Sequence, residues 1–254
     1  MIQLIVTDLD NTLLDGNKEV SRYSLQVLRK CQRKGIVIAF ATARPERATW
    51  RMRGSLQPDY IISNNGATIN RKDEVLYNHI IRPDIVDSLL AELVKMDDVT
   101  CITVEAGNCL FSNFTGGSWD NENWNVVFSD FQKPLDRPVP KLSLESENIQ
   151  AVRTLIAAYK DLHFYNNSGQ NWSQVMHVNS TKMNAVQYIS SFTGIPVQNI
   201  AAFGDDFNDI DMIQSCGIGI AVENANERVK QAADDICPGN KENGVAKWLN
   251  CHLL

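Results

Sequence analysis

No pair of cysteines in this chain has the C-x-x-C spacing, so neither a zinc ribbon nor a thioredoxin-type redox centre is indicated. The six cysteines are scattered at 31, 101, 109, 216, 237 and 251. Most lie among apolar neighbours, where a thiol serves as a small packing residue. Reduced thiols and a cytoplasmic protein are therefore expected. A basic excess is missing too: 30 acidic residues against 24 basic ones give a net charge of −6, which leaves no electrostatic footprint for nucleic acid. No apolar run reaches membrane-spanning length, so no membrane partner is expected. The opening segment has neither the basic region nor the cleavage site of a signal peptide. No glycine string follows the dinucleotide fingerprint, and Gly116-Gly117 reads as a turn. Internal repeats and low-complexity tracts are also absent. What remains is a chain of 254 residues, 44% of them hydrophobic. That suits one large α/β domain, or a core with a smaller second domain.

The chain is organised around Val6-Thr7-Asp8-Leu9-Asp10-Asn11-Thr12-Leu13-Leu14-Asp15-Gly16. Its lead-in, Leu4-Ile5-Val6, is the apolar run of a strand buried on both faces. Asp8 and Asp10 follow at the strand's carboxyl end, the edge where open α/β sheets bind ligands. Alternation along an ideal strand would put both carboxylates on one side, close enough to repel. A divalent cation is the expected offset. Two aspartates after a strand also fit a helix cap or a solvated loop, and this stretch alone does not decide.

Three further segments repeat the pattern. A helix capped by Ser21 or Ser24 runs to about Lys34 and stops at Gly35. A second buried strand, Ile36–Ala41, then ends at Thr42-Ala43-Arg44, with Pro45 opening the next helix. Thr42 and the helix amides could hold a phosphate, or Thr42 could simply cap the helix. Tyr60-Ile61-Ile62 leads into Ser63-Asn64-Asn65-Gly66, a turn signal, and a hairpin follows. Ile200–Phe203 runs into Gly204-Asp205-Asp206-Phe207-Asn208-Asp209, an acidic turn without the spacing of an EF-hand. Lys182 lies in the first turn of a helix starting at Asn179–Thr181. There it opposes the helix dipole, which is a reason to look for an anion.

Between these segments the pattern changes. A helix is expected over 84–97 with Ile85, Leu89, Leu90, Leu93 and Val94 inward. Strands follow near 99–104 and 109–114, then a strand near 141–144, a helix near 148–160, and strands near 162–165 and 174–178. This reads as an inserted α+β module over roughly 82–180 rather than more parallel sheet. Trp119, Trp124 and Trp172 read as core of that module, with a substrate pocket as the other possibility.

Carboxyl ends of parallel strands share one edge, so Asp8, Asp10, Thr42, the Ser63–Gly66 turn, Asp205, Asn208 and Asp209 can converge, with Lys182 beside them. Acids, a lysine, a hydroxyl and helix amides suit a metal and a phosphate together.

In these motifs the chain resembles the haloacid dehalogenase superfamily, and within it the Cof-like group with a large α/β cap. D-x-D-x-T-L is Asp8 to Leu13, strand-then-Thr is Thr42-Ala43-Arg44, the lysine is Lys182, and G-D-x-x-N-D is Gly204 to Asp209. Asn224-Ala225 and Gly244-Val245-Ala246 also match segments of that group. Departures are Asn11 and Ala43, where glycine is usual, and Met183 after the lysine. Asn tolerates positive φ, so the first turn is expected to survive.

The resemblance implies a Rossmann-like three-layer α/β/α core with a parallel sheet, formed by residues 1–81 and 181–254. Residues 82–180 would form the inserted α+β cap that governs substrate choice. It implies an Mg²⁺-dependent phosphatase for phosphomonoesters of small metabolites, sugar phosphates first. Asp8 would be the nucleophile, passing through an aspartyl-phosphate. Asp10 would be the general acid and base. Mg²⁺ would be held by Asp8, the Asp10 backbone carbonyl and Asp205. Thr42, Ala43, Lys182 and Asn208 would hold the phosphate, with Asp209 and Asn65 supporting them from behind. The competing readings are a phosphomutase of the same fold and a phosphosugar-binding regulator without turnover. The partner expected is a small phosphorylated metabolite; the oligomeric state stays open, with a monomer favoured.

Overall fold

The structure is a computed structural model that describes residues 1–49, 56–72, 74–116, 125–166 and 171–254. In chain order the elements are β1 (Leu4–Thr7), α1 (Arg22–Arg33), β2 (Val37–Ala41), α2 (Glu46–Thr49), β3 (Tyr60–Ser63), β4 (Thr68–Arg71), β5 (Glu74–Asn78), α3 (Pro83–Leu93), β6 (Val99–Ala106), β7 (Cys109–Ser112) and β8 (Val126–Phe128). They continue as β9 (Lys141–Ser146), α4 (Ile149–Ile156), β10 (Leu162–Asn166), β11 (Trp172–His177), α5 (Lys182–Thr193), β12 (Ile200–Gly204), α6 (Ile210–Ser215), β13 (Ile218–Val222), α7 (Glu227–Ala232), β14 (Asp235–Cys237) and α8 (Gly244–Leu253).

The chain divides into two compact units: Met1–Tyr77 with Thr181–Leu254, and Asn78–Ser180. The first division thus falls at 77/78, where the sequence pattern suggested 81/82.

The first unit carries an eight-stranded sheet in the order β14-β13-β12-β1-β2-β3-β4-β5. Its strands from β14 to β3 are parallel, and β4 joins antiparallel. Alternation along each central strand builds two cores. Ile5, Ile38, Phe40, Ala201 and Phe203 face α1 and α8, represented by Val27, Leu28, Val245 and Leu249. Leu4, Val6, Ala39, Ala41, Ile200 and Ala202 face α5 and α6, represented by Val186, Ile189 and Met212. Every one of these strand residues is fully buried, as a parallel sheet covered on both faces requires. The three layers expected from the sequence are present. Ser21 caps α1 by accepting from the Ser24 amide, which settles the choice between the two serines.

The second unit is a six-stranded sheet in the order β10-β11-β9-β6-β7-β8. Among the described residues its strand pairs are antiparallel except β7 with β8. One face buries Ile102, Val104, Leu142, Leu144 and Val175 against α3 and α4. The other face carries buried polar groups: Thr103, Glu105, Lys141, Ser143 and Gln174. Strand β8 was not anticipated, because three residues give too short an alternation to read. Helix α3 ends at Leu93, four residues early, with Val94 as its cap. Its fully buried residues are Val86, Leu89, Leu90 and Leu93, with Ile85 and Val94 half-buried against the same core; Val86 is the one inward residue not expected. Trp119 and Trp124 lie outside the described residues; Trp172 is half-buried on β11. Among the described residues, no helix is long and apolar enough to cross a membrane.

Candidate active site

The first strand stops at Thr7, and Asp8 continues only as far as one amide bond to the Phe203 carbonyl. Residues Leu9–Leu13 then form a wide helical turn in which Asn11 takes φ 57°. Asp10 is therefore not a strand residue, and strand alternation is not what places it. The turn needs the left-handed conformation that Asn tolerates. The like charges are parted by separate partners. Asp8 pairs with Lys182, and Asp10 pairs with Arg44.

Lys182 is the centre of the buried network. It opens α5, which Thr181 caps by accepting from the Asn184 amide. Its Nζ lies 2.6 Å from Asp8 Oδ1 and 2.6 Å from Asp209 Oδ1, and its side chain is 0% exposed. The anion that the helix dipole called for is thus this pair of carboxylates. Burial by itself would lower the Lys182 pKa, but Asp209 and then Asp8 outweigh it and raise it. The other oxygen of Asp209 accepts from the amides of Asp205 and Asp206. Asp209 therefore holds both the lysine and the turn that carries Asp205. Two glycines allow these approaches. A Cβ on Gly204 would lie 2.4 Å from the Asp209 Cβ, and one on Gly66 would lie 2.1 Å from the Thr181 carbonyl oxygen.

Four loops at the carboxyl edge are stitched pairwise. Arg44 joins the second to the first, with Nε and Nη2 at 2.6 and 2.8 Å from the two oxygens of Asp10. The Asn65 amide donates to the Thr42 carbonyl, and the Asn64 amide to that of Arg44, joining the third loop to the second. The Asn208 side chain donates to Asn65 Oδ1 at 2.8 Å, joining the fourth to the third. Thr12 donates to Asp205 Oδ1 at 2.7 Å and joins the fourth to the first. Thr42 is buried and its hydroxyl accepts from the Arg44 amide, a bond that closes its own loop. Ala43 follows it in the same loop, half-buried.

The carboxyl oxygens of Asp8, Asp205 and Asp209 lie within 4.8 Å of one another. Burial, reinforced by Asp209, pushes the Asp205 carboxyl up to about 6 against the Thr12 hydrogen bond. Burial also pushes Asp8 well above the usual carboxylate range, opposed by Lys182 and reinforced by Asp209 and Asp205. Such a cluster of hard oxygen donors suits Mg²⁺, whose charge would let the acids stand ionised together. Asp209 is already committed to Lys182 and two amides, so Asp8 and Asp205 are the side chains that fit the ion. The Asp10 carboxylate is not part of this cluster; it is held by Arg44.

The sequence profile of the haloacid dehalogenase-like hydrolases matches residues 5–249. The chain belongs to that family. Among curated relatives, this hydrolase is 26% identical to the 5-amino-6-(5-phospho-D-ribitylamino)uracil phosphatase YitU of Bacillus subtilis, over 97% of this chain and 96% of that one. It is 22% identical to the pyridoxal phosphate phosphatase YbhA of Escherichia coli, over 99% of each. Among solved structures, a haloacid dehalogenase-like hydrolase of Bacteroides thetaiotaomicron shares the fold with a TM-score of 0.86, at 24% identity over 99% of each chain.

Two residues of this hydrolase, Arg44 and Thr12, stand in the motifs without a role that the motifs themselves reveal. The signal for Arg44 was a lone basic residue at the same sheet edge as Asp10. For Thr12 it was a hydroxyl four residues after Asp8, on a turn that brings it back toward the acids.

Proposed function

We propose that this hydrolase is an Mg²⁺-dependent phosphatase that cleaves phosphomonoesters of small metabolites through an aspartyl-phosphate on Asp8. The observation that carries the reading is the buried Asp8–Lys182–Asp209 network beside Asp205. A buried carboxylate beside a fixed cation and a metal-type donor pair is what supports Asp8 as the nucleophile.

In the first half-reaction an Asp8 oxygen bonds to phosphorus as the bond to the leaving oxygen breaks. The electron pair stays on that oxygen, which takes a proton from the Asp10 carboxyl. In the second half, Asp10 removes a proton from water as the water oxygen bonds to phosphorus. The bond to Asp8 breaks and its carboxylate is restored. Lys182, Thr42, the Ala43 amide and Asn208 are assigned to the phosphoryl oxygens, where donors fixed in advance stabilise developing charge. Asn65 holds Asn208 in place, and Asp209 holds Lys182. Asp8, Asp205 and the Asp10 backbone carbonyl would hold Mg²⁺. When bound, the ion supplies charge neutralisation that lets an anionic nucleophile meet an anionic ester.

Choice among esters is assigned to the second unit, one sheet face of which carries the polar set Thr103, Glu105, Lys141, Ser143 and Gln174. Hydrogen-bonding side chains of that kind suit a hydroxylated leaving group, and sugar phosphates are the first class to try. The named substrates of the two relatives, a phosphoribitylaminouracil and pyridoxal phosphate, show how far leaving groups vary at this level of identity.

The test is phosphate release from a panel of phosphorylated metabolites with Mg²⁺ and with EDTA, for the natural chain and Asp8→Asn. Turnover that needs Mg²⁺ and vanishes in the variant is expected. Undiminished turnover in EDTA overturns the reading. Isomerised phosphosugar in place of free phosphate identifies a mutase, and no turnover on any ester identifies a binding protein.

A further inference from the structure

We propose that Arg44 is the positioning residue for Asp10, the group that trades protons with the leaving oxygen and with water. The inference rests on the phosphatase reading and adds a residue to which that reading gives no role.

The geometry is specific. Arg44 meets Asp10 as a fork, Nε on one oxygen at 2.6 Å and Nη2 on the other at 2.8 Å. Two parallel bonds fix the plane of a carboxylate as well as its place, which a point charge does not. The Arg44 side chain is 13% exposed and that of Asp10 is 37% exposed. The guanidinium is thus the better-anchored partner, and the carboxylate is the one with room to move. Arg44 is itself tied at both ends of its peptide: its amide donates to Thr42 Oγ1 at 3.1 Å, and its carbonyl accepts from the Asn64 amide at 2.9 Å. Thr42 is assigned to the phosphate, so the same short loop sets both the phosphate and the proton-transfer group.

Asp10 needs such an anchor. It sits in a turn interrupted by its own extended backbone, ψ 130°, and by the left-handed Asn11. No strand pairing holds it. Lys182 is committed to Asp8 and Asp209. The fork also suits both proton states of the cycle. A carboxylate accepts from both limbs. A carboxylic acid keeps one acceptor oxygen for one limb and leaves its O–H to face the leaving oxygen. One limb released and one retained would keep the group aimed while it acts.

The experiment uses leaving-group dependence, which loss of a merely structural contact does not move. The probes are p-nitrophenyl phosphate and phenyl phosphate, nearly equal in shape but unequal in their need for a proton on departure. The kcat/KM values are compared in Mg²⁺ for the natural chain, Arg44→Ala, Arg44→Lys, Asp10→Asn and the double variant Arg44→Ala/Asp10→Asn. Misplacing a reacting group by about 1 Å costs about 100-fold. Arg44→Ala is therefore expected to depress phenyl phosphate about tenfold or more beyond its effect on the nitrophenyl ester. Arg44→Lys should fall between. In the Asp10→Asn background, Arg44→Ala should add little. Equal loss on both esters, no loss on either, or full additivity with Asp10→Asn overturns the proposal. Thermal melts accompany each variant, and where Arg44→Ala does not fold, Arg44→Lys carries the same ratio test. A natural chain that cleaves neither ester in Mg²⁺, nor any member of the metabolite panel, overturns the phosphatase reading itself and this assignment with it.

Discussion

The hydroxyl of Thr12 lies 2.7 Å from Oδ1 of Asp205, across 193 residues of sequence. The bond joins the turn after β1 to the turn after β12. It fixes one oxygen of a half-buried carboxylate, the one proposed to share Mg²⁺ with Asp8. Partners of this kind behind a metal ligand are worth 10- to 100-fold in metal affinity, roughly. Thr12→Val is therefore expected to raise the Mg²⁺ concentration for half-maximal phosphate release about tenfold. The rate at saturating Mg²⁺ should change far less. An Mg²⁺ titration of both chains reads this directly; an unchanged midpoint would show that Thr12 does not orient the ligand.

Lys182→Met removes the one charge that the buried Asp8 and Asp209 share. Breaking a buried ion pair from one side leaves uncompensated charge and costs about 3–5 kcal/mol. The variant is expected to melt well below the natural chain in the absence of metal and to show no phosphate release. Adding Asp209→Asn should recover part of the melting temperature, because one orphaned carboxylate is then gone, but none of the activity. If the single variant melts with the natural chain, the network is not a stabilising element.

Much of this was legible in the amino-acid order, for definite reasons. Leu4-Ile5-Val6, Val37–Ala41 and Ile200–Phe203 are apolar on both faces, as strands of a covered parallel sheet are. Their carboxyl ends then place Asp8, Thr42 and Asp205 on one rim without further information. The mutual contacts were not legible. Alternation suggested that Asp8 and Asp10 share a side, but the strand ends at Thr7 and Asn11 turns the chain. Asp10 consequently meets Arg44 instead of a second acid. Pairings such as Asn208 with Asn65, or Thr12 with Asp205, depend on loop conformations that residue types do not specify. In the second unit, the end of α3 was placed late because Val94 continues the apolar spacing after the helix has capped.

Gly66 has φ +96° and brings its loop against the start of α5. A Cβ there would stand 2.1 Å from the Thr181 carbonyl oxygen, a backbone atom that cannot swing aside. Gly35, at φ +81° in the same unit, has nothing within 4 Å of its Cβ position. Gly35→Ala should therefore cost only the backbone strain, about 1–3 kcal/mol. Gly66→Ala should cost clearly more and also reduce turnover, since the displaced segment carries Lys182. Denaturant unfolding of the two variants side by side separates strain from steric clash. Equal losses would mean that the loop yields without disturbing α5.

Asp235 Oδ2 accepts from the indole nitrogen of Trp248 at 2.6 Å, tying β14 to α8. That bond, opposed by burial and aided by the Ile236 amide, holds the Asp235 carboxyl below its ordinary value. A depressed acid stabilises the fold while it is ionised. The contribution is complete above the unfolded-chain value, about 3.9, and disappears as pH falls through the folded one. Asp235→Asn should thus lower the melting temperature at pH 7, and the gap between the two chains should close as the pH is brought below about 4. Trp248 also stacks on His252, with ring centroids 4.1 Å apart, so its fluorescence reports the same junction as the melt. A gap that stays constant from pH 7 down to pH 3 would mean that packing, not the charged hydrogen bond, is what the substitution removes.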